Sequence, residues 1–543
     1  MEGNWCVIQT TDDHVGHSQT YIFMRGEQDK KIAILIDCGL MMHSKDINAE
    51  VTRTRIINEN FACEIDNIKV VLITHPHTDH IAMLPFLVKN GYAGPIYSSI
   101  VTRREAGTIL RDSAKILASY GEYFYTNDDV DRTTSQIVPI RANTEIEVYN
   151  DSVLKVMATG IENPHLPGAF SWFITIKRYS CEDCNILFSG DVKSGSEMFY
   201  TSPISKSLLK KKMTILCEST YGTTIREKTD ELEFEHLIQK AYNRGGNVII
   251  ASISNERPEI ILNHLLKMKK EGMIRRSTQI YMKGTLMHNL YNIINNSYDV
   301  IKFKEDFEDT SEDIVWMEGD EVIPKGHYIM VVSPGMLSGG ASLEAVFSEA
   351  YNEKSILLLT SYIPEGDTAY KILHTPKGGV YRHTDGRSVR INMDVYQYTA
   401  FSGHADALGL IKFISQFKGV QAVLFNHGDP EDIKAITKKT QEILEIPCYE
   451  TSRKICFRIG PDGVEKILSS KLDVNGKTLS PRKNPHPDIE VNPKNGKRKK
   501  KKESKVNRSN KFQRRGGNAN KNTSNNRINC QKARNRNGRN NRR

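Results

Sequence analysis

A short segment near the start of the chain concentrates side chains that could do chemistry. Within six positions it carries four groups that bind metals: His75, His77, Asp79 and His80. The apolar run Val70–Ile73 leads into it and predicts a buried strand, and residues two apart in extended backbone project to the same side. Three imidazoles and a carboxylate are costly to bury unless they bind an ion, and this mixture of nitrogen and oxygen donors suits zinc. A polar turn with solvated histidines is the alternative, and the density of ligands favours the metal.

Further candidate ligands come singly along the chain. His165 lies in the rigid turn Asn163–Gly168, and Asp191 follows a predicted strand. Asp37 ends another predicted strand, Ile32–Ile36, where a carboxylate either orients metal ligands or forms a turn. Alone, His165 and Asp191 would more often be turn residues, whereas the two interpretations of Asp37 are about equal. A catalytic zinc needs three protein ligands and a two-metal site needs a bridging carboxylate, so the cluster favours His165 and Asp191 as ligands.

The predicted secondary structure changes at Met213, and the elements after it must position the later candidate residues. From there apolar strands alternate with helical patterns, which predicts βαβ units on a mostly parallel sheet. The predicted strands include Val248–Ile253, Tyr328–Val332 and Ile356–Leu359, and the predicted helices include Pro258–Lys270. Ligands bind at the carboxyl ends of such strands, where a Gly-rich loop such as Ser333–Gly340 lets backbone N–H groups approach phosphate; a plain turn is the alternative. His404 and His427 each follow an apolar strand and precede a helix. Singly, each would be a capping or core histidine, but their shared context indicates that the chain returns to the first domain.

Length and composition limit the number of domains, the expected cellular compartment and the role of the cysteines. The 543 residues allow two to four domains. No window approaches eighteen apolar residues and the first residues do not form a secretory signal, so we expect a cytoplasmic protein. Nine scattered cysteines argue against a disulfide framework. Cys181 and Cys184 have zinc-knuckle spacing without a second pair nearby, which favours a polar turn over a structural metal.

Charge is divided unevenly along the chain. Lys471–Arg543 carries 24 lysines and arginines against 4 acids, whereas the rest carries 51 against 61. The end of the chain also lacks apolar periodicity, so we expect residues 469–543 to be a disordered basic tail. Such a tail suits nucleic-acid phosphates, and a purely solubilising tail is the alternative.

Seven motifs occur in one order along the chain. His-x-His-x-Asp-His, a lone His and a lone Asp precede Glu218-Ser-Thr-Tyr-Gly, Phe401-Ser-Gly-His-Ala-Asp and Asn426-His-Gly, with Asp37 ahead of them all. This order resembles the β-CASP nucleases of the metallo-β-lactamase superfamily, a family that includes ribonuclease J and the endonuclease of eukaryotic pre-mRNA 3′-end processing. The resemblance covers about Tyr21 to Cys456. It implies an α/β protein, a metallo-β-lactamase αββα sandwich formed by residues 1–212 and 397–468, with a mostly parallel β-CASP domain inserted at 213–396.

Carried over residue by residue, the resemblance implies two zinc ions per chain. One would be held by His75, His77 and His165, the other by Asp79, His80 and His427, with Asp191 bridging both and Asp37 supporting the ligands. Catalytic roles are implied for Asp79, Asp191, Glu218 and His404. The residues implied to hold RNA phosphates are Arg257, Ser333, Gly335, Ser338, Gly339 and Ser402.

The activity implied is zinc-dependent hydrolysis of RNA phosphodiester bonds by a hydroxide that two metals activate. His404, oriented by Glu218, would protonate the leaving oxygen. His427 favours RNA, because the DNA-repair branch of the family has Val at this motif. Single-stranded RNA is the expected partner, since a duplex is too wide for a cleft closed on a metal pair. Ala82-Met83, Pro164 and Val192-Lys193 depart from the common pattern, but none is a predicted ligand.

Two alternatives stay open at this point. One is a catalytically weak RNA-binding scaffold of the same fold, and the other is a metal-dependent hydrolase acting on DNA or a small ester. The sequence also leaves open endonuclease against 5′-exonuclease attack, the sequence preference and the oligomeric state, a homodimer included.

Overall fold

The structure is a computed structural model that describes residues 5–468, apart from 12–15, 42–59, 180, 226–229, 306, 308–313, 320, 323–324, 362, 364 and 399–400. The predicted basic tail lies outside these residues. Within the described ranges, no helix combines the length and the apolar character needed to cross a membrane.

Two mixed sheets carry the first part of the chain and its last strands. The first sheet contains β1 Cys6–Thr10, β2 Thr20–Arg25, β3 Lys31–Ile36, β4 Ile68–Leu72, β5 Ile96–Ser99, β6 Ile137–Ile140, β24 Ile455–Gly460 and β25 Gly463–Leu468. The second contains β7 Glu145–Asn150, β8 Leu154–Glu162, β9 Phe170–Arg178, β10 Cys184–Phe188, β12 Lys212–Glu218, β22 Gly419–Asn426 and β23 Cys448–Glu450. Their orders are β25-β24-β1-β2-β3-β4-β5-β6 and β23-β22-β12-β10-β9-β8-β7.

Alternation along the strands packs the two sheets face to face. In β2, Ile22 and Met24 enter the core between the sheets, with Trp172 of β9, while Tyr21 and Phe23 face a second core under helices. A period of two sends successive side chains to opposite faces, so one strand serves both cores. A third core covers the outer face of the second sheet. The result is the predicted α/β sandwich, with helices outside two central sheets.

A third sheet lies within residues 248–397. It contains β13 Val248–Ala251, β14 Gln279–Lys283, β16 Ile314–Met317, β17 Tyr328–Val332, β18 Ile356–Leu359 and β21 Asp394–Gln397, in the order β16-β14-β17-β13-β18-β21. Every described pairing is parallel, and cores cover both faces. Two short pairs, β11 Phe199–Tyr200 with β15 Lys302–Phe303 and β19 Val380–Arg382 with β20 Ser388–Arg390, complete the described strands.

The described α-helices begin and end as follows: α1 Thr78–Ile81, α2 Leu84–Lys89, α3 Ile100–Ser119, α4 Asn127–Gln136, α5 Asp230–Asn243, α6 Arg257–Lys270, α7 Thr285–Asn295, α8 Gly340–Glu349, α9 Thr368–Leu373, α10 Ala407–Ser415 and α11 Pro430–Leu444. Short 3₁₀ turns occur at Glu27–Asp29, Ile65–Asn67 and Leu208–Lys210.

The predicted elements of the third sheet are confirmed. The strands expected at Tyr328–Val332 and Ile356–Leu359 have those bounds, and the helix expected from Pro258 to Lys270 begins at Arg257. The strand expected to reach Ile253 ends at Ala251. The α/β fold class is therefore confirmed, while the domain boundaries at 212/213 and 396/397 stay predictions.

Candidate metal centre

Four side chains bring their ligand atoms around one point. His75 Nε2 lies 3.0 Å from His77 Nδ1 and 3.4 Å from Asp191 Oδ2. His165 Nε2 lies 3.3 Å from the same His77 atom and 3.7 Å from the same Asp191 oxygen. Ligand atoms about 2.0–2.1 Å from a tetrahedral ion are about 3.3 Å apart. The spacing is therefore that of a divalent-metal site.

A second group shares Asp191 with the first. His427 Nε2 lies 3.4 Å from Asp79 Oδ2, and His80 Nε2 lies 3.9 Å from Asp79 Oδ2 and 3.4 Å from Asp191 Oδ2. His80 Nε2, His427 Nε2 and Asp191 Oδ1 are buried and have no hydrogen-bond partner among the described residues. Buried polar atoms without partners, converging from ligand-type side chains, fit a bound metal. All seven predicted ligands thus lie in two groups joined by one carboxylate.

Adjacent strand ends bring these distant residues together. β10, β12 and β22 are parallel neighbours, so their carboxyl ends lie at one edge of the second sheet. Asp191 follows β10, Glu218 ends β12 and His427 follows β22 directly. His75 and His77 follow β4 of the other sheet. The centre therefore lies where the ends of two packed sheets meet, as expected for ligand sites on parallel strands.

Asp37 fixes the orientation of His80. Its Oδ2 lies 2.7 Å from His80 Nδ1, and its Oδ1 accepts a 2.8 Å hydrogen bond from the Thr74 backbone N–H. With Nδ1 engaged, His80 turns Nε2 toward the second ligand group. Gly39 lets the backbones approach here, because a Cβ at this residue would lie 1.6 Å from the Asp79 carbonyl oxygen.

Asn163 ties two ligand loops to each other. Its side-chain amide donates to the carbonyl oxygens of Asp191 at 2.6 Å and Ser189 at 3.0 Å, while its Oδ1 accepts from the His165 N–H at 3.0 Å. The His165 ring is held from its other side, because Nδ1 lies 2.6 Å from the Gly403 carbonyl. Neighbours thus hold both the backbone N–H and the ring of His165.

His404 and Glu218 form a pair beside the metal ligands. His404 Nδ1 lies 3.0 Å and 3.1 Å from the two Glu218 oxygens, and its Nε2 lies 3.9 Å from Asp191 Oδ2. Glu218 is buried and also accepts from the Val192 N–H. Ser402 Oγ accepts from the His404 N–H at 3.2 Å and contacts Tyr221 Oη at 2.7 Å. The pair therefore presents one imidazole nitrogen to the shared carboxylate.

Burial and neighbouring charges set the protonation of the centre. Burial holds the pKa of His75 and His165 well below the usual range and lowers that of His77 to about 4, so these rings are neutral and can donate lone pairs. Burial opposes ionisation of Asp191, but surrounding histidines, His427 first, hold its pKa well below normal. Burial likewise opposes protonation of His404, and Glu218 and Asp191 outweigh it and raise its pKa.

A cleft of about 140 Å³ opens beside His77, His165 and His404. Its other lining residues are Leu166, Tyr221, Ile253, Asn255, Glu256, Arg257, Met336, Ser361, Ser402 and Gly403.

Only some of the predicted phosphate-binding residues line this cleft. Arg257 and Ser402 line it, and the Arg257 guanidinium donates to the Thr360 carbonyl. The loop 333–340 contributes Met336 to the lining, whereas Ser333 and Gly335 are buried and are not lining residues. Ser338 is exposed, and neither it nor Gly339 is a lining residue.

Sequence reasoning missed three residues that hold the site. Asn163 and Thr74 were seen only as parts of motifs, because amides and hydroxyls are common in turns. Tyr221 contacts His404 edge to face, with ring centroids 5.8 Å apart. Its place in the Glu218–Gly222 motif was the available signal.

Two domain families and several known proteins resemble this chain. Residues 15–211 match the metallo-β-lactamase superfamily, and residues 388–449 match a domain described as the Zn-dependent metallo-hydrolase RNA specificity domain. Integrator complex subunit 11 of Gallus gallus is 26% identical, over 80% of this chain and 70% of its own. Cleavage and polyadenylation specificity factor subunit 3-II of Arabidopsis thaliana is 25% identical, over 82% and 70%. Probable RNase MJ4 of Methanocaldococcus jannaschii is 26% identical, over 77% and 95%.

Proposed function

Since the chain belongs to the β-CASP ribonuclease family of the metallo-β-lactamase superfamily and is a metal-dependent hydrolase of RNA, we propose that it cleaves single-stranded RNA at a centre of two zinc ions. The main support is Asp191. Its carboxylate joins two groups of ligand atoms, and His404 Nε2 lies 3.9 Å from the same carboxylate. A proton donor thus stands beside a site built for two cations.

The seven ligands divide between the two ions. His75, His77 and His165 would hold one, Asp79, His80 and His427 the other, and Asp191 both. Zinc suits this donor set, because imidazole and carboxylate are among its ordinary protein ligands. When bound, a zinc pair lowers the pKa of water from about 15.7 toward about 7 and neutralises charge on phosphoryl oxygens.

In this proposal His404 supplies the proton, and neighbouring residues hold His404 in position. Glu218 and Asp191 raise the pKa of His404 against burial, which suits this residue to donate a proton. Glu218 keeps the ring oriented through Nδ1 and leaves Nε2 to protonate the leaving oxygen. Ser402 and Tyr221 hold the backbone of this histidine in place.

The cleft favours a single strand. A space of about 140 Å³ is far too small for a double helix, and Arg257 and Ser402 on its walls are the proposed phosphate contacts. Duplex RNA would have to be recognised on its outside, away from buried ligands.

The test compares labelled RNA and DNA of one sequence, with the full chain and its His77→Ala variant. We expect zinc-dependent cleavage of RNA, much slower cleavage of DNA, and no cleavage but retained RNA binding in the variant. Metal analysis should give two zinc ions per chain. Equal cleavage of DNA, or turnover by the variant with zinc chelated, would contradict the proposal. With 5′-labelled RNA, fragment sizes would assign endonucleolytic or 5′-exonucleolytic attack.

The proposal extends to the basic tail. Lys471–Arg543 carries 24 lysines and arginines, so its deletion should weaken RNA affinity and flatten the dependence of affinity on salt. The rate at saturating RNA should change little. Binding measured from 50 to 200 mM salt tests this, and an unchanged slope would refute it.

A further inference from the structure

A group of buried polar side chains is formed by residues of α3 and of the start of α6. Glu105 is on α3, Glu259 is on α6, and Asn255 lies in the loop before α6. None of the three keeps more than 5% of its surface exposed. The helix α7 packs against both α3 and α6. We name Glu105, Asn255 and Glu259 the buried acidic cluster.

The members of the buried acidic cluster face one another. Burial raises the pKa of Glu105, the negative charge of Glu259 raises it further, and the polar side chain of Asn255 acts in the opposite direction. A neighbouring charge shifts a pKa in this way from about 4–6 Å. Glu259 and Asn255 therefore both lie beside the Glu105 carboxyl group.

The polar atoms of the buried acidic cluster have no hydrogen-bond partners among the described residues. Both carboxyl oxygens of Glu105, both of Glu259, and the side-chain oxygen and nitrogen of Asn255 are buried in this state. Buried polar groups are almost always hydrogen-bonded, and leaving a carboxylate without a partner is especially costly. Six such atoms in one place therefore indicate a bound species.

The positive charge expected beside two buried carboxylates is missing from the described part of the chain. Neither Glu105 nor Glu259 forms an ion pair with a described residue, and burial raises the pKa of each with no basic group to counteract it. The neighbouring Glu256 does have a cation, because Lys193 Nζ lies 3.7 Å from its Oε1. Since buried carboxylates are found paired or bound to metals, the missing charge has to come from outside the chain.

The donor atoms define the kind of cation. Two carboxylates and an amide offer oxygen ligands without imidazole or thiolate, which suits Mg²⁺, Ca²⁺ or Mn²⁺ better than zinc. The cluster contains none of the seven ligands of the candidate metal centre. Asn255 lines the cleft, whereas Glu105 and Glu259 do not. The cluster is therefore a separate site that reaches the cleft only through Asn255.

We propose that Glu105, Asn255 and Glu259 bind one divalent cation of the class that prefers oxygen ligands, Mg²⁺, Ca²⁺ or Mn²⁺. The ion joins α3 to the start of α6 and so has a structural role beside the cleft. A proton competes with it, because carboxylate ligands must be deprotonated to bind a metal. In the absence of the cation the two carboxyl groups keep a proton between them, with Asn255 facing Glu105 and the charge of Glu256 acting on Glu259.

The experiment titrates the full chain with MgCl₂, CaCl₂ or MnCl₂ in separate calorimetric runs, in constant KCl and with enough ZnCl₂ to load the histidine ligands. Tm is measured with and without each cation at pH 6 and pH 8.5. Glu105→Gln and Glu259→Gln each remove one negative charge and keep the shape of the side chain. Glu318→Gln, at an exposed glutamate, is the matched control, and His77→Ala tests whether the added cation binds at the metal centre instead.

We expect the parent to bind one further cation per chain and to gain roughly 3 °C or more in Tm at saturation, with the larger gain at pH 8.5. Glu105→Gln and Glu259→Gln should lower the affinity at least about tenfold and abolish this gain. Without the cation both variants should be at least as stable as the parent, because each removes a buried charge. Glu318→Gln and His77→Ala should bind the cation as the parent does.

Three results would overturn the proposal. The first is that the parent binds none of the three cations, in which case a stability that varies with pH alone would show that the pair holds only a proton. The second is equal binding by the parent and by both glutamine variants. The third is loss of the added cation in His77→Ala, which would place it at the metal centre.

Discussion

The two walls of the cleft are built differently. On the metal wall, ligand atoms of His75, His77 and His165 lie 3.0–3.7 Å from one another or from Asp191. The wall formed by the third sheet has Asn255 and Glu256 in the loop before α6, Arg257 as the first residue of α6, and no described metal-ligand cluster. The ends of strands hold the residues of the metal wall, whereas a loop and the start of a helix carry the residues of the other wall. If the proposed function holds, bond cleavage and RNA selection are carried by separate parts of the fold.

The largest effect should follow from Asp191→Asn. The amide keeps the shape but loses the negative charge that both ligand groups share, so cleavage should fall by roughly 10³-fold or more. RNA affinity should hold, because the other wall is untouched. Rates and binding measured on one RNA check both parts. A variant that cleaves normally would show that the metal wall is not the site of chemistry.

Glu218→Gln should come next. Without the carboxylate, the burial of His404 lowers its pKa, and proton donation should cost roughly 10²–10⁴-fold in kcat. The loss should be greater toward alkaline pH, where His404 loses its proton first. The pH profile of kcat is the measurement. A uniform loss at every pH would indicate that Glu218 only shapes the wall.

Asp37→Asn should have a smaller effect. His80 would lose the anion that directs its Nε2, and such supports are typically worth roughly 10–100-fold in metal affinity. Zinc titration against a chelator checks this, and excess zinc should restore the rate. No rescue by zinc would contradict a supporting role for Asp37.

The smallest expected effect is on stability. It concerns Glu259 of α6, the helix that begins at the wall formed by the third sheet. Burial raises the pKa of Glu259 on α6 from 4.5 to about 8, and burial together with Glu259 also raises that of Glu105 on α3. The native carboxyl keeps its proton where the unfolded chain has lost it. Its contribution to stability is therefore full below about pH 4.5 and is lost as pH rises through about 8.

Glu259→Gln should flatten this pH dependence. Between pH 5.5 and 8.5, Tm of the parent should fall by several degrees more than Tm of the variant, while kcat stays near that of the parent. Glu318→Gln, at an exposed glutamate, is the control and should keep the parent's profile. Identical profiles for all three proteins would show that Glu259 is already ionised in the native state.

The sequence predicted the parts of the site that depend on local spacing. His75–His80 lies within one strand end and one helical turn, so spacing alone brought its ligands together. His165, Asp191 and His427 are up to 352 positions from His75, and only the order of motifs could link them. The supports Thr74 and Asn163 act through contacts between loops, which no local pattern encodes.

The missed fold elements have a similar cause. In α4, Val130 is the buried apolar residue of a polar segment, and a capping box of Thr126 and Asp129 begins the helix. Apolar periodicity is therefore too weak to predict it. The loop 333–340 was read from its glycines and serines, but Met336 is the residue that reaches the cleft. Composition showed a loop there and not which side chain it would present.

The neighbouring ends of β10, β12 and β22 carry a consequence for biosynthesis. Asp191 and Glu218 leave the ribosome long before Gly419–Asn426 can dock beside β12. A nascent chain shorter than 427 residues lacks His427, and one shorter than 419 residues also lacks the strand that precedes it. The complete set of seven ligands therefore exists only when translation of the folded region is almost complete.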